Sequence, residues 1–214
     1  MEKTQSNTQL SKQLSWLLRH GAQKEGIAIQ PDGFVCVTDI QRHPRFGANF
    51  SLEKLKKLVA ADAKQRYTLR CNPVTGAQEI RANQGHSLGA VTSEACLERI
   101  QSIEQLPPGA VVVHGTYYRH WERIKSEGLK RMQRNHVHFA VLNNSEGDKR
   151  GVISGFRGDC QLLIYLNVLK VLEHQLELFR SSNNVVLCAG IKGSIPTEYF
   201  QRVVDRRTGK SLLI

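Results

Sequence analysis

The 214-residue chain is poor in the features that mark special environments. It has six prolines and no low-complexity tract, so it reads as an ordered globular protein apart from the extreme N-terminus. Its five cysteines, Cys36, Cys71, Cys96, Cys160 and Cys188, lie far apart with no paired spacing. That pattern indicates neither a zinc knuckle nor a small disulfide scaffold, and a reduced, intracellular protein is expected. The longest apolar run, Leu162 to Val168, is interrupted and too short to span a bilayer, and Met1 to Leu10 is polar, so no membrane partner is expected. A glycine-rich dinucleotide fingerprint and a phosphate loop are both missing from strand-to-helix junctions; Lys192-Gly193-Ser194 has the reverse order and comes late.

What the chain does have is positive charge. Thirty Lys and Arg stand against nineteen Asp and Glu, a net charge of +11 that favours an anionic partner such as nucleic acid or phosphate. Residues 1–85 hold thirteen basic and seven acidic groups and residues 86–214 hold seventeen and twelve, so the excess is not a detachable tail. The length allows one domain or two small lobes.

Hydrophobic spacing separates two lobes. Leu10, Leu14, Leu17 and Leu18 share one face of a helix that Gly21 can end in a left-handed conformation, which puts Arg19 and His20 in its last turn. Pro31-Asp32-Gly33 reads as a turn, Thr38 as the cap of a short helix, and Ser51 as the cap of a clearer one carrying Leu52, Leu55, Leu58 and Val59. Arg66 to Arg70 and Gln78 to Ala82 read as strands joined by Asn72-Pro73-Val74-Thr75-Gly76. Helices followed by a hairpin suggest a winged-helix-like lobe over residues 1–90, with 91–106 as a connection and 107–214 as a second lobe. In that second lobe Val111 to Val113 form a strand that delivers His114-Gly115-Thr116, and a helix from Tyr118 to Glu127 stops at Gly128. His136 to Ala140, Leu162 to Leu166, Val185 to Cys188 and Tyr199 to Val204 are further strand candidates.

Three sets of residues have chemistry to offer. In His114-Gly115-Thr116 the glycine permits close backbone approach, and His and Thr can hydrogen-bond ribose hydroxyls or an amide. Strand alternation puts His136 and His138 on one face just after Arg134. Two histidines can ligate a metal, but no carboxylate or cysteine completes a set at short spacing, so no metal is expected. Arg19-His20, Arg66 and Arg134 make a candidate phosphate site, because guanidinium forks match phosphate oxygens and histidine titrates in the range useful for proton transfer. Gln84, His86 and Ser87 add polar contacts beside it.

Taken together, seven motifs in order resemble the RNA 2'-phosphotransferase family (Tpt1/KptA) over nearly the whole chain. They are Leu10-Ser11-Lys12 with Leu17-Leu18-Arg19-His20, Lys64-Gln65-Arg66-Tyr67, Gln84-Gly85-His86-Ser87, His114-Gly115-Thr116, Arg134-Asn135-His136-Val137-His138, Val152-Ile153-Ser154-Gly155 with Arg157, and Phe179-Arg180-Ser181. The resemblance implies an α+β protein, with an N-terminal winged-helix-like RNA lobe and a C-terminal ADP-ribosyltransferase-like mixed α/β lobe. It implies NAD as a consumed co-substrate, RNA with an internal 2'-phosphate (tRNA at a splice junction) as partner, and a monomer. The family's essential set falls on Arg19, His20, Arg66 and Arg134, and its NAD-lobe triad on His114, His138 and Val185. Gly115, Thr116, Ser154, Arg157, Phe179 and Arg180 complete the expected NAD pocket.

The implied chemistry has two steps: nicotinamide release to leave RNA joined through its 2'-phosphate to ADP-ribose, then transesterification to ADP-ribose 1'',2''-cyclic phosphate. The first step alone, on nucleic-acid phosphate ends, would be a second activity. A non-catalytic winged-helix regulator explains the charge and hairpin equally well but leaves Arg134 and the His114/His138 pair without a role.

Overall fold

The computed structural model describes residues 7–143, 154–155 and 158–212. The chain divides into two compact units, Met1–Cys96 and Leu97–Ile214. Among the described residues it is a mixed α/β protein with six α-helices and three antiparallel sheets.

The first unit opens with α1 (Asn7–Trp16), which buries Leu10 and Leu14 and runs into a π-helical turn, Leu17–Gly21, that buries Leu17 and Leu18. Gly21 does not end the helix in a left-handed conformation as expected; that geometry is taken by Gly26, at φ +69°. A side chain at Gly21 would place its Cβ 2.4 Å from Cζ3 of Trp16, so glycine is required there for close approach of the indole. After β1 (Val35–Cys36), α2 (Val37–Arg42) starts with Cys36 at the N-cap position, without a side-chain capping bond, so Thr38 lies in its first turn and does not cap it. In α3 (Leu52–Ala60) the expected cap holds: Ser51 Oγ accepts from the Lys54 amide at 3.3 Å. Strands β2 (Tyr67–Cys71) and β3 (Gln78–Ala82) form the hairpin, with β1 on the outer side of β3. Its turn closes on Asn72, whose Oδ1 accepts from the amides of Val74 and Thr75, while Gly76 supplies φ +70°. A short α4 (Ser93–Cys96) ends the unit.

The second unit contributes β4 (Glu98–Ile100), β5 (Ala110–Thr116), α5 (Tyr118–Glu127), β6 (Leu129–Lys130), β7 (Val137–Asn143), β8 (Leu162–Leu166), α6 (Val168–Glu173), β9 (Leu178–Arg180), β10 (Val185–Cys188), β11 (Ser194–Ile195) and β12 (Phe200–Asp205). Seven of these strands make one sheet in the order β12-β8-β5-β7-β10-β9-β4, and β6 pairs with β11. Val112, Phe139, Ile164 and Val186 meet Trp121 and Ile124 of α5 and Val168 and Val171 of α6 in the main core. Strand β4 lies within the segment read from sequence as a connection and forms a sheet edge, Glu98 standing opposite Arg180. Among the described residues no helix is long and apolar enough to cross a membrane.

Candidate functional site

The two units carry separate sets of chemically able side chains. In the first, the π-helical turn sets the geometry. The Ala22 amide bonds back five residues to Leu17 O at 2.9 Å, and this extra residue in the turn allows Leu17 and Leu18 to be buried while Arg19 and His20 follow on a half-buried surface. Ser87 then fixes both. Its amide donates to Arg19 O at 3.0 Å, and its Oγ lies 2.8 Å from His20 Nδ1, which sets the rotation of the imidazole. Gly85 takes φ +89°, and a Cβ there would stand 3.3 Å from Arg19 Nε, so the guanidinium stem passes over this glycine.

Arg66 arrives by a different route. Its amide donates to Asp62 Oδ2 at 2.5 Å, and its side chain ion-pairs with the same carboxylate. The backbone on either side is pinned by buried Asn83: Nδ2 donates to Gln65 O at 2.7 Å, the Asn83 amide donates to Arg66 O at 2.8 Å, and Oδ1 accepts from Thr68. One residue on, the buried Tyr67 hydroxyl donates to Ser11 O at 2.7 Å. A phenol has one proton to give, so the 2.6 Å contact with Ser15 Oγ is a bond that Ser15 donates. This ties α1 to β2.

The result is a cavity of about 560 Å³ whose lining includes Ser11, Lys12, Ser15, Trp16, Arg19, His20, Asp62 and Arg66. Three cations, Lys12, Arg19 and Arg66, against one carboxylate, with a histidine among them, suit a phosphate monoester. Gln84 and His86 do not line it. Gln84 is buried, and His86 is buried with its Nε2 facing the Gly33 backbone, where a Cβ would come within 3.1 Å.

In the second unit the sheet splits. Strand β5 pairs with β7 only as far as Val113 opposite Ala140; Val113 also pairs with β8, and from His114 to Thr116 β5 pairs with β8 alone. Where the strands part, the next β7 carbonyl, His138 O, is bonded by the His114 side chain through Nδ1 at 2.8 Å. A carbonyl can only accept, so Nδ1 carries the proton and Nε2 presents a lone pair. Burial lowers the His114 pKa; the bond to His138 O opposes this and the positive charge of Arg134 adds to it, so the ring is held neutral.

Around this split, His138 and Thr116 are buried and Val185 is fully enclosed, packed with Phe179 and Leu187. Gly155 lies on β7: a Cβ there would fall 2.8 Å from the Ala140 amide nitrogen. Phe179 also meets the edge of His136, ring centres 5.9 Å apart. Arg180 grips Glu98 through Nε and Nη2 at 2.9–3.3 Å and donates to Gln105 O at 2.9 Å, which ties β9 to β4. Arg134 is exposed in the turn before β7, and Arg131 braces that turn by bonding Arg134 O and Gly193 O. Arg157 lies outside the described residues. Among them, no group of three or more His, Cys, Asp or Glu is placed to hold a metal.

Sequence reasoning assigned no role to Asp62, Tyr67, Asn83 or Trp16. Only Asp62, four residues ahead of Arg66, offered a local spacing signal.

The family described as "RNA 2'-phosphotransferase, Tpt1 / KptA family" matches residues 5–190. The tRNA 2'-phosphotransferase 1 of Danio rerio is 41% identical over 92% of this chain and 84% of its own length. The human protein of the same name is 37% identical over 94% and 77%, and the tRNA 2'-phosphotransferase of Saccharomyces cerevisiae is 35% identical over 95% and 86%. With a match of this extent, the chain belongs to the RNA 2'-phosphotransferase, Tpt1/KptA family.

Proposed function

We propose that this protein removes an internal 2'-phosphate from RNA, with spliced tRNA as its substrate, and transfers it to NAD. The observation that carries this reading is the cationic cavity of the first unit, with His20 oriented by Ser87 and Arg66 braced by Asp62 and Asn83. Its helices and three-stranded sheet support a winged-helix-like RNA lobe, and the split sheet of the second unit supports an ADP-ribosyltransferase-like NAD lobe.

The chain's own residues divide the work. Arg19 and Arg66 hold the 2'-phosphate and neutralise its oxygens, and Arg134, before β7 of the second unit, is the further cation of the family's essential set. In the first step a phosphate oxygen attacks C1'' of the nicotinamide ribose, the glycosidic C–N bond breaks, and nicotinamide leaves. NAD supplies the electrophilic carbon and the leaving group. The neutral His114, with a lone pair at Nε2, fits as acceptor for a hydroxyl or carboxamide donor of NAD beside Thr116, His138, Ser154 and Gly155. By the family resemblance Val185 falls at a position where many ADP-ribosyltransferases carry a carboxylate; a phosphate is already anionic and needs positioning more than deprotonation. In the second step the 2''-hydroxyl oxygen attacks phosphorus and the bond to the RNA 2'-oxygen breaks. His20 manages the proton that passes from attacking hydroxyl to leaving oxygen.

Incubating the protein with NAD and an internally 2'-phosphorylated RNA is expected to give 2'-hydroxyl RNA, nicotinamide and ADP-ribose 1'',2''-cyclic phosphate, resolved by mass. Nicotinamide release that does not depend on the 2'-phosphate, or no release at all, would overturn the reading. Gly85→Ala tests the cavity without removing a charge. The backbone at φ +89° costs a side chain about 1–3 kcal/mol, and the added methyl displaces Arg19. Turnover is expected to fall roughly tenfold or more in a variant that still folds, since small misplacements of a gripping group are costly. Wild-type turnover in folded Gly85→Ala protein would show that Arg19 does not hold the phosphate.

A further inference from the structure

We propose that Trp16 is a stacking platform for a nucleobase of the RNA, the base of the phosphorylated nucleotide or of its immediate neighbour. The inference rests on the reading of the cavity as a 2'-phosphate site and adds the element that would recognise the rest of the nucleotide.

The chain has two tryptophans, and they are treated differently. Trp121 on α5 is buried at 5% exposure, as its size favours, whereas Trp16 keeps 36% of its surface in solvent at the end of a helix whose leucines are all buried. That exposed ring forms part of the wall of the same cavity as Lys12, Arg19, His20 and Arg66. Its position is also fixed. The six-membered ring sits where the Cβ of residue 21 would be, within 2.4–2.8 Å, so the π-helical turn and Gly21 together seat the indole. The Arg45 guanidinium, itself bonded to Glu25 at 2.5 Å, lies over the ring, 5.2 Å from its centre, so the base stacks on the part of the indole that this cation leaves in solvent.

An ordered indole about one-third in water beside a cationic pocket matches the two parts of a nucleotide. The cations take the phosphate and the ring takes the flat, apolar base. Stacking does not depend on base identity, which suits an enzyme directed to one phosphate and not to a sequence. A phosphate that carries no base would use the cations and leave the indole idle.

The test uses the full chain and a short 2'-phosphorylated oligonucleotide, either with natural bases or made abasic at the phosphorylated or the adjacent nucleotide. Trp16→Ala is expected to raise the KM for RNA roughly 5- to 100-fold with kcat within a few-fold, and Trp16→Phe to recover most of the loss. An abasic site at one of the two positions should cost the wild type a similar factor and cost Trp16→Ala nothing further, a non-additivity that a merely structural role for the indole would not produce. Binding of the same RNA without NAD should quench tryptophan emission in the wild type and in Trp121→Phe, but not in Trp16→Phe. An unchanged KM in Trp16→Ala, equal abasic penalties in wild type and variant, or quenching that survives Trp16→Phe would each overturn the proposal. If the wild type shows quenching yet releases no 2'-phosphate, the platform stands and the proposed reaction fails.

Discussion

Arg66→Ala and His20→Ala are each expected to lower overall 2'-phosphate removal by roughly 10²- to 10³-fold, and to do so mainly at the second step, so that RNA-2'-phospho-ADP-ribose accumulates. The two steps ask opposite things of the phosphate. In the first it is a nucleophile, and strong neutralisation of its oxygens gains little. In the second it is the electrophile, and charge gathers on its equatorial oxygens as the 2''-hydroxyl attacks; a guanidinium aimed there acts where the need has grown. Arg66 is built for such a role, because Asp62 and Asn83 fix the main chain that carries it before substrate arrives. His20 acts on a proton that moves only in this step, and the 2.8 Å contact with Ser87 has already set its ring. A mass-resolved time course decides the matter: loss of product with no build-up of the intermediate would assign these residues to substrate binding alone.

The parts of this arrangement that sequence reveals are those with local causes. The leucine spacing of α1, the Ser51 cap, the Asn72–Gly76 turn and the Gly128 stop each depend on residues within one or two turns of chain, and each is found in the fold. The π-helical turn is not of that kind. It exists because Trp16 lies on Gly21 while both Leu17 and Leu18 go inward, and glycine was read as a left-handed terminator because nothing nearby shows which use it serves. Strands β4 and β9, three residues each, carry too little alternation to be seen, and they are joined by an ion pair between Glu98 and Arg180, 82 residues apart.

The same division holds for the site. Arginine and histidine announce phosphate chemistry by their side chains, whereas Asn83 and Tyr67 position others through bonds that span 15 to 56 residues. For His114 and His138 the residue types are visible, but the link between them is an imidazole bonded to a main-chain oxygen at a split in the sheet, which no pattern of side chains encodes.

Glu79→Ala is expected to destabilise the first unit by about 3 kcal/mol or more, near the lower end for a broken buried pair. Glu79 lies in the central strand β3, directly opposite Arg70 on β2 and Cys36 on β1, and is 3% exposed. Its carboxylate accepts from Gln30 Nε2 at 2.6 Å, Asn72 Nδ2 at 2.9 Å and Arg70 Nε at 2.8 Å. Burial alone would push its pKa up, yet the bonds from Asn72, Arg70 and Gln30, with the charge of Arg70, outweigh burial and hold it below the usual 4.5. Alanine would leave those three donors unsatisfied around a gap. The loss stays near the low end because Arg70 keeps a second carboxylate, Asp32, at 3.1 Å and lies over the Phe34 ring. For a unit of this size, 3 kcal/mol corresponds to a fall of about 12–24 °C in melting temperature. A depressed carboxylate contributes stability that is complete above its unfolded pKa and disappears as pH falls through the folded one. The wild type should therefore lose stability more steeply than Glu79→Ala as pH drops below about 4.5, so that the gap between the two curves narrows in acid. Parallel curves across that range, or an unchanged melting temperature at neutral pH, would mean that the sheet bearing the hairpin, and with it the placement of Arg66, does not depend on this buried charge.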